Sequence, residues 1–168
     1  FKKHAAYAQR IMDDIVDLEM EKIDAIIKKI EDDPEGLDVK TTELKLWKKI
    51  KQKCIEGRRT GVGITAEGDM LAALNKKYGT DEALDFSVKV HKTLALEAYR
   101  SSVELAKDRG SFPIYDSIRE EKNPMVNRIK EADPALYKDM VKYGRRNIAL
   151  LTIAPTGTTS IMTQTSSG

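Results

Sequence analysis

A run of small hydroxyl residues around one glycine, directly after an apolar segment, is the most site-like stretch of this sequence. It follows Pro155 and consists of Thr156, Gly157, Thr158, Thr159 and Ser160. The glycine lets backbone N–H groups approach an anion, the hydroxyls add donors, and a helix starting near Ser160 points its positive end the same way. This pattern predicts phosphate binding without a lysine, because no G-x-x-x-x-G-K-[ST] motif occurs. The alternative is an ordinary polar turn after a strand.

A second glycine-rich stretch, residues 61–66 (GVGITA), formally matches the G-x-G-x-x-G/A dinucleotide fingerprint. Its context does not fit that function. Residues 53–59 before it are not a hydrophobic strand, and no second strand with a ribose-binding acid follows. A tight structural turn is therefore the favoured interpretation.

The remaining chemically capable side chains predict no catalytic or metal site. Cys54 shares a helical stripe with Trp47 and Ile50, which favours a packing role over a nucleophile. His4 and His91 are far apart in sequence, and neither has a partner at metal-ligand spacing.

Charged pairs allow two interpretations each. Two arginine pairs directly precede predicted strands: Arg58 with Arg59, and Arg145 with Arg146. Either pair can approach a phosphate, although solvation at the surface is the simpler interpretation for at least one member of each. Acidic pairs on the first helix are interpreted as a solvated face rather than catalytic pairs: Asp13 with Asp14, and Glu19 with Glu21.

Helices dominate the elements that must position these residues. The first thirty residues predict one long helix with an apolar stripe at three-and-four spacing, made of Tyr7, Ile11, Ile15, Leu18, Ile23, Ile26, Ile27 and Ile30. Thr80 is the predicted cap of another long helix that ends near Gly110. Further helices are predicted over 42–55, 67–78, 124–130 and 134–143.

Two short apolar segments predict strands, near 60–64 and 148–154. The second is almost continuously apolar, as expected for a strand buried on both faces in a parallel sheet or barrel. Such strands need partners that this sequence does not supply. We therefore expect the chain, which begins at Phe1 and ends at Gly168, to be a fragment of a larger α/β protein.

Composition sets the broad class. The chain has 168 residues, 40% of them hydrophobic, and a formal net charge of only +2. These values predict a globular protein with neither a nucleic-acid nor a membrane partner. A single cysteine excludes an internal disulfide, and apolar runs are far shorter than a bilayer span. We expect a soluble protein of the cytoplasm.

Three stretches together resemble one family, the large catalytic chain of ribonucleotide reductases. Residues 58–64 (RRTGVGI), continuing to 71, resemble its R-R-x-G-[LV]-G-[IV] and A-D-[ML]-L segments, although Glu67 and Gly68 stand where the family usually has leucine and alanine. Residues 97–113 resemble its E-L-A-[KE]-x-R-G-x-[FY]-P helix end. Residues 146–160 resemble its R-N…I-A-P-T-G-[ST]-[TI]-S strand and loop. The sequence of this stretch is most similar to the class II, adenosylcobalamin-dependent branch.

The resemblance implies a fold, a site and an activity. The chain, residues 1–168, would be a mostly helical partial segment of a ten-stranded α/β barrel, with its two strands in that barrel. The loop of residues 156–160 would hold the phosphates of a ribonucleotide substrate through backbone N–H groups. The family makes deoxyribonucleotides by thiyl-radical chemistry, with electrons from a cysteine pair and assistance from nearby Asn and Glu.

The resemblance does not carry the reacting groups. The family's N-x-C-x-E motif is absent and would precede Phe1, its G-[IV]-E-P motif would begin at about Gly168, and Cys54 matches none of its catalytic cysteines. The segment alone is expected to be inactive. Adenosylcobalamin, a thioredoxin-type reductant, the remainder of the catalytic chain and a homo-oligomer are expected for the full enzyme. The alternative function is a non-enzymatic helical interaction module.

Overall fold

The computed structural model describes residues 1–167, which are organised as eight helices. Their bounds are α1 Lys2–Asp32, α2 Leu37–Gly57, α3 Glu67–Ala73, α4 Asp81–Arg109, α5 Ser117–Glu120, α6 Pro124–Ala132, α7 Pro134–Tyr143 and α8 Gly157–Thr163. Gly168, where we expected the next family motif to begin, lies outside the described residues. No helix within residues 1–167 is long and apolar enough to cross a bilayer.

Capping residues in the local sequence explain the starts of three helices. Thr80 caps α4 as predicted, since its hydroxyl accepts a hydrogen bond from the Ala83 amide. The side chains of Asn123 and Asp133 cap α6 and α7, and each of these helices has proline in its first turn, where its missing N–H costs nothing. The boundaries of three helices are thus readable from single residues.

Two hydrophobic clusters hold the helices together. The larger joins α4, α6 and α7 to the extended segment after Gly144, and its buried members are Ala98, Tyr99, Val103, Val126, Ile129, Leu136, Met140 and Leu150. The smaller packs Ala5 of α1 and Leu94 of α4 together with Val62. Helix α1 packs on both α2 and α4. The two apolar segments predicted as strands each contribute a buried residue to these clusters, Val62 and Leu150, whereas Ile153 is exposed.

The predicted α/β class with strands near 60–64 and 148–154 is wrong for the described residues. Both segments are extended and run side by side, but they form only one parallel bridge, between Val62 and Leu151, and no sheet or barrel. Two short segments without neighbours make too few ladder bonds to form a sheet. In addition, the Arg145 guanidinium takes the carbonyls of Asn147 and Ile148 as acceptors, at 3.1 Å each.

The predicted stripe of α1 is also wrong over its first half. Tyr7, Ile11, Ile15 and Leu18 are exposed, whereas Ile23 and Ile30 are buried as expected. Helix α1 instead turns Gln9 and Asp13 inward, because their side chains find hydrogen-bond partners on the segments beneath them. Apolar spacing alone does not reveal this orientation. Leu84 and Val88 near the start of α4 are exposed as well.

Candidate functional site

The predicted phosphate loop forms the start of α8. Thr156 is its N-cap residue and has a left-handed backbone, φ 51° and ψ 21°. The Thr156 carbonyl accepts the first helical bond, from the Ser160 amide at 2.8 Å. The buried Ser160 hydroxyl donates to the Gly157 carbonyl at 2.7 Å. The loop is thus a tight turn whose own bonds fix its shape.

Three consecutive backbone amides at this helix start have no acceptor in the helix. They belong to Gly157, Thr158 and Thr159, all of which are exposed. The side chain of the N-cap residue Thr156 makes no capping bond to this end. An ideal Cβ built on Gly157 meets nothing within 4 Å, so the space beside the Gly157 Cα is open. This arrangement suits an anion with several acceptor oxygens.

Thr156 is the strained residue of the loop. A β-branched side chain with positive φ is an outlier that costs about 1–3 kcal/mol and persists only where the surroundings hold it. Thr65 supplies part of that support, since its Oγ1 lies 3.1 Å from Thr156 Oγ1 and 3.1 Å from the Ser166 carbonyl oxygen. The turn after Gly63 thereby supports the loop.

The glycines of the GVGITA stretch have a packing role. An ideal Cβ on Gly63 would lie 2.6 Å from the Thr152 carbonyl oxygen, and one on Gly61 would lie 3.1 Å from Thr152 Cγ2. Neither position tolerates a side chain without movement of the segment that leads to the loop. The stretch is extended and bridges to Leu151 at Val62, so its glycines serve close packing rather than the expected tight turn.

Two of the four arginines considered for phosphate contact are buried in ion pairs. Arg58 Nε donates to Asp13 Oδ1 at 2.8 Å, and its Nη1 donates to Asp17 at 2.7 Å. Arg145 pairs with Glu120 at 2.6 Å and lies over the rings of Tyr99 and Phe112. Both guanidiniums organise the interior. Arg59 remains exposed, and Arg146 bonds the carbonyls that end α4.

A buried polar network beneath the loop segments was missed by sequence reasoning. Asn147 Nδ2 donates to Asp13 Oδ1 at 2.8 Å and to the Arg58 carbonyl at 3.0 Å, while Asn147 Oδ1 accepts from Gln9 and Ser102. The solvated-face interpretation is therefore wrong for Asp13, which is fully buried. Burial raises the pKa of Asp13, but bonds from Arg58 and Asn147 outweigh it, so the pKa lies below its usual value. The available signal was that Gln9 and Asp13 share the spacing of buried Ala5 and Val16.

Three acidic residues of α1 resemble a cation site only in spacing. Carboxylate oxygens of Asp13, Asp14 and Asp17 lie within 4.8 Å of one another. Arg58 and Arg109 pair with all three, which accounts for the cluster as ion pairs. The spacing of these carboxylates does not test the prediction that they bind no metal.

Cys54 and His91 occupy open cavities away from the loop. Cys54 lies in a cavity of about 550 Å³ between α1 and α2, where burial and then the Glu19 carboxylate raise its pKa to about 11. His91 Nε2 lies 3.1 Å from Glu67 Oε2. A hydrogen bond from Ser87 lowers the pKa of Glu67. Burial raises this pKa, but the contact with His91 lowers it further, and the result lies below the usual value. One cavity at His91 is also lined by Ser166 and Ser167, but none of residues 156–160 lines the cavities at Cys54 or His91.

Comparison with known proteins decides the family. The family model described as ribonucleotide reductase, barrel domain, matches residues 1–168. The chain belongs to the ribonucleotide reductases. This membership confirms the resemblance of the three motif stretches and favours an enzyme over a helical interaction module.

Curated relatives of this reductase segment are much longer than it is. It is 33% identical over 129 residues to a ribonucleoside-diphosphate reductase subunit alpha from Chlamydia pneumoniae, covering 66% of this chain and 12% of that protein. Vitamin B12-dependent ribonucleoside-diphosphate reductases match from Thermoplasma acidophilum, at 32% over 70% of this chain and 13% of that protein, and from Mycobacterium tuberculosis, at 28% over 66% and 13%. The segment thus spans about an eighth of these relatives.

Proposed function

We propose that residues 1–168 are a segment of the catalytic domain of a ribonucleoside-diphosphate (or triphosphate) reductase and supply its substrate-phosphate loop. In the proposed reaction, thiyl-radical chemistry replaces the ribose 2′-hydroxyl by hydrogen, releases water and oxidises a dithiol to a disulfide. The role of this segment is to hold the phosphates of the ribonucleotide through residues 156–160. The observation that carries the proposal is the row of three exposed, uncapped amides at Gly157, Thr158 and Thr159.

The thiols of the reaction are proposed to come from other parts of the full-length enzyme. Cys54 is the one cysteine of the sequence, and its pKa of about 11 keeps the thiol protonated at neutral pH. It also faces a cavity that contains no residue of the phosphate loop. A single protonated thiol is unsuited to supply two electrons, so we assign no catalytic residue within the segment.

Adenosylcobalamin is the proposed radical source of the full enzyme, since several relatives are named vitamin B12-dependent. Among residues 1–167 no fitting cobalamin contact is identified: His91 is tied to Glu67, and His4 is exposed on the first turn of α1. A thioredoxin-type reductant and a homo-oligomer are proposed for the full enzyme, and its cytoplasmic location stays a prediction from composition.

The test is Gly157→Val in the full-length reductase that carries this segment. The open space at Gly157 lets the fold accept the side chain, while the added branches block an anion from the first amide. We expect at least a tenfold loss of ribonucleotide affinity, measured by calorimetry, with an unchanged melting temperature. Thr158→Ala is the control, because it removes a hydroxyl but keeps the amide, and it is expected to cost at most about 1 kcal/mol. Unchanged affinity in Gly157→Val would refute the loop assignment.

A further inference from the structure

Helix α3 is capped by a residue from the other end of the chain. Its own N-cap residue, Ala66, has a left-handed backbone and no side chain able to accept a hydrogen bond. Ser166 takes over this function. Its Oγ accepts from the Asp69 amide at 3.3 Å, and its own amide donates to Asp69 Oδ2 at 2.7 Å. These two reciprocal bonds are those of a capping box, but the serine and the acid are 97 residues apart.

The fit between the two segments is close. The Ala66 amide also donates to the Ser166 carbonyl oxygen, at 3.1 Å. An ideal Cβ on Gly68 would lie 3.2 Å from Ser166 Oγ, which is closer than most Cβ atoms come to a neighbouring atom. The glycine therefore allows the first turn of α3 to lie this close to the serine. Three polar groups at the start of α3, the amides of Ala66 and Asp69 and the Asp69 carboxylate, are thus satisfied by Ser166.

This capping turn directly follows the phosphate loop helix. Helix α8 ends at Thr163, Gln164 reverses the chain with a left-handed backbone, and the Thr165 amide returns to the Ser160 carbonyl. At the other end of α8, Thr65 lies against Thr156. Residues 65–69 therefore contact the chain both before and after α8, and the helix cannot shift without breaking one of these contacts.

We infer that Asp69 and Ser166 are positioning residues for the phosphate loop. Neither side chain contacts the amides of Gly157, Thr158 or Thr159. They act by joining the first turn of α3 to the turn after α8, which fixes the direction in which those amides point. This inference rests on the proposed function of the loop.

The test compares a ribonucleoside diphosphate with the same nucleoside lacking phosphate, using the full-length reductase. Asp69→Ala and Ser166→Ala are each expected to weaken diphosphate binding about three- to tenfold, the range of one lost hydrogen bond, and to leave nucleoside binding unchanged. The double variant is expected to lose no more than either single one, because both remove the same connection. Asp69→Asn keeps an acceptor oxygen and is expected to restore most of the affinity.

Asp81→Ala provides the matched control, since Asp81 is also an exposed first-turn acid, at the start of α4. It is expected to leave both affinities unchanged.

Unchanged diphosphate affinity in Asp69→Ala and Ser166→Ala, or an equal loss of nucleoside affinity, would overturn the inference. Ser166 lies outside any helix, so Ser166→Ala decides the matter if Asp69→Ala does not fold. If Gly157→Val is also without effect, the proposed loop function fails as well; if Gly157→Val alone weakens binding, only the positioning role fails.

Discussion

Cys54 shows how neighbouring groups set the behaviour of one residue. Its Sγ lies 3.5 Å from the Glu19 carboxylate, and the thiol is partly buried between α1 and α2. Burial and the adjacent negative charge both disfavour the thiolate, which is the reactive form. The open cavity beside Cys54 therefore gives access to the sulfur without making it a nucleophile.

We predict that Cys54 is alkylated at pH 8 at least about tenfold more slowly than an unperturbed cysteine, because its pKa of about 11 leaves little thiolate. The pH dependence of the iodoacetamide reaction measures this value. Glu19→Gln removes the second cause of the shift and is expected to speed the reaction. Glu21→Gln, on the exposed side of α1, is the control and is expected to have no effect. A titration midpoint near pH 8.5 would contradict the prediction.

Sequence reasoning located single residues well where the signal is local. The cap at Thr80 follows from residue types within one turn, whereas the helix expected to start near Ser160 begins three residues earlier, at Gly157. Sequence reasoning did not predict the burial of Asp13, whose partner Arg58 is 45 residues away, because no residue pattern along α1 indicates a distant cation. The strained backbone of Thr156 could not be predicted either, since Thr65, which supports it, lies 91 residues away in the sequence.

Connections between elements depend on a few glycines with backbone angles that other residues avoid. Gly144 ends α7 with φ 74° and ψ −164°, and Gly110 ends α4 with φ 82° and ψ 156°. Both lie in a region open almost only to glycine. They differ in their surroundings, because a Cβ on Gly144 would lie 2.6 Å from Ser111 Cβ, whereas one on Gly110 meets nothing within 4 Å.

This pair separates backbone strain from steric overlap. Gly110→Ala is expected to lower the free energy of unfolding by about 1–3 kcal/mol through strain alone. Gly144→Ala is expected to cost about 1–3 kcal/mol more, because the Ser111 backbone must move. Urea denaturation of the two variants measures the difference. Equal losses would show that the contact with Ser111 relaxes without cost.

At the scale of elements, the sequence predicted helices better than strands. Helix periodicity, caps and prolines are local, and seven of the eight helices correspond to predicted ones, the short α5 being the exception. The segments near 60–64 and 148–154 are extended but are not the predicted strands, and 148–154 is not buried on both faces, since Ile153 is exposed. Whether extended chain becomes a sheet depends on neighbouring segments, and residues 1–167 provide one bridge.

The polar network around Asp13 and Asn147 joins parts of the molecule that are distant in sequence. It links α1, the turn at Arg58, Ser102 of α4 and the segment after Gly144. No buried side-chain nitrogen or oxygen within residues 1–167 is without a hydrogen-bond partner. Removal of one member leaves a charge or a polar group unpaired in the interior, so the whole assembly is sensitive to it.

Asp13→Asn is expected to lower the free energy of unfolding by about 3 kcal/mol at pH 7, because it leaves the Arg58 guanidinium without its buried carboxylate. Asp14→Asn, which affects a half-exposed pair with Arg109, is the control and is expected to cost less than about 1 kcal/mol. Chemical denaturation measures both. Comparable losses would contradict the special position of Asp13.

The same carboxylate predicts a pH dependence. The pKa of Asp13 is lowered in the folded state, so its stabilising contribution is complete above about pH 4, the range of an unfolded aspartate, and declines as the pH falls below that value. The difference in stability between the wild type and Asp13→Asn is therefore expected to shrink in acid.

The contact between the two extended segments has a consequence for the order of folding. Thr60 and the Ala149 carbonyl that it bonds are 89 residues apart, and closing a loop of that length costs about 4 kcal/mol of chain entropy before any contact compensates. The α1–α2 hairpin, in contrast, closes over a connection of a few residues. We expect the hairpin to form early and the segment leading to α8 to dock late. The loop proposed to hold phosphate is then among the last parts of the chain to reach its final place, and the first to lose it when the protein begins to unfold.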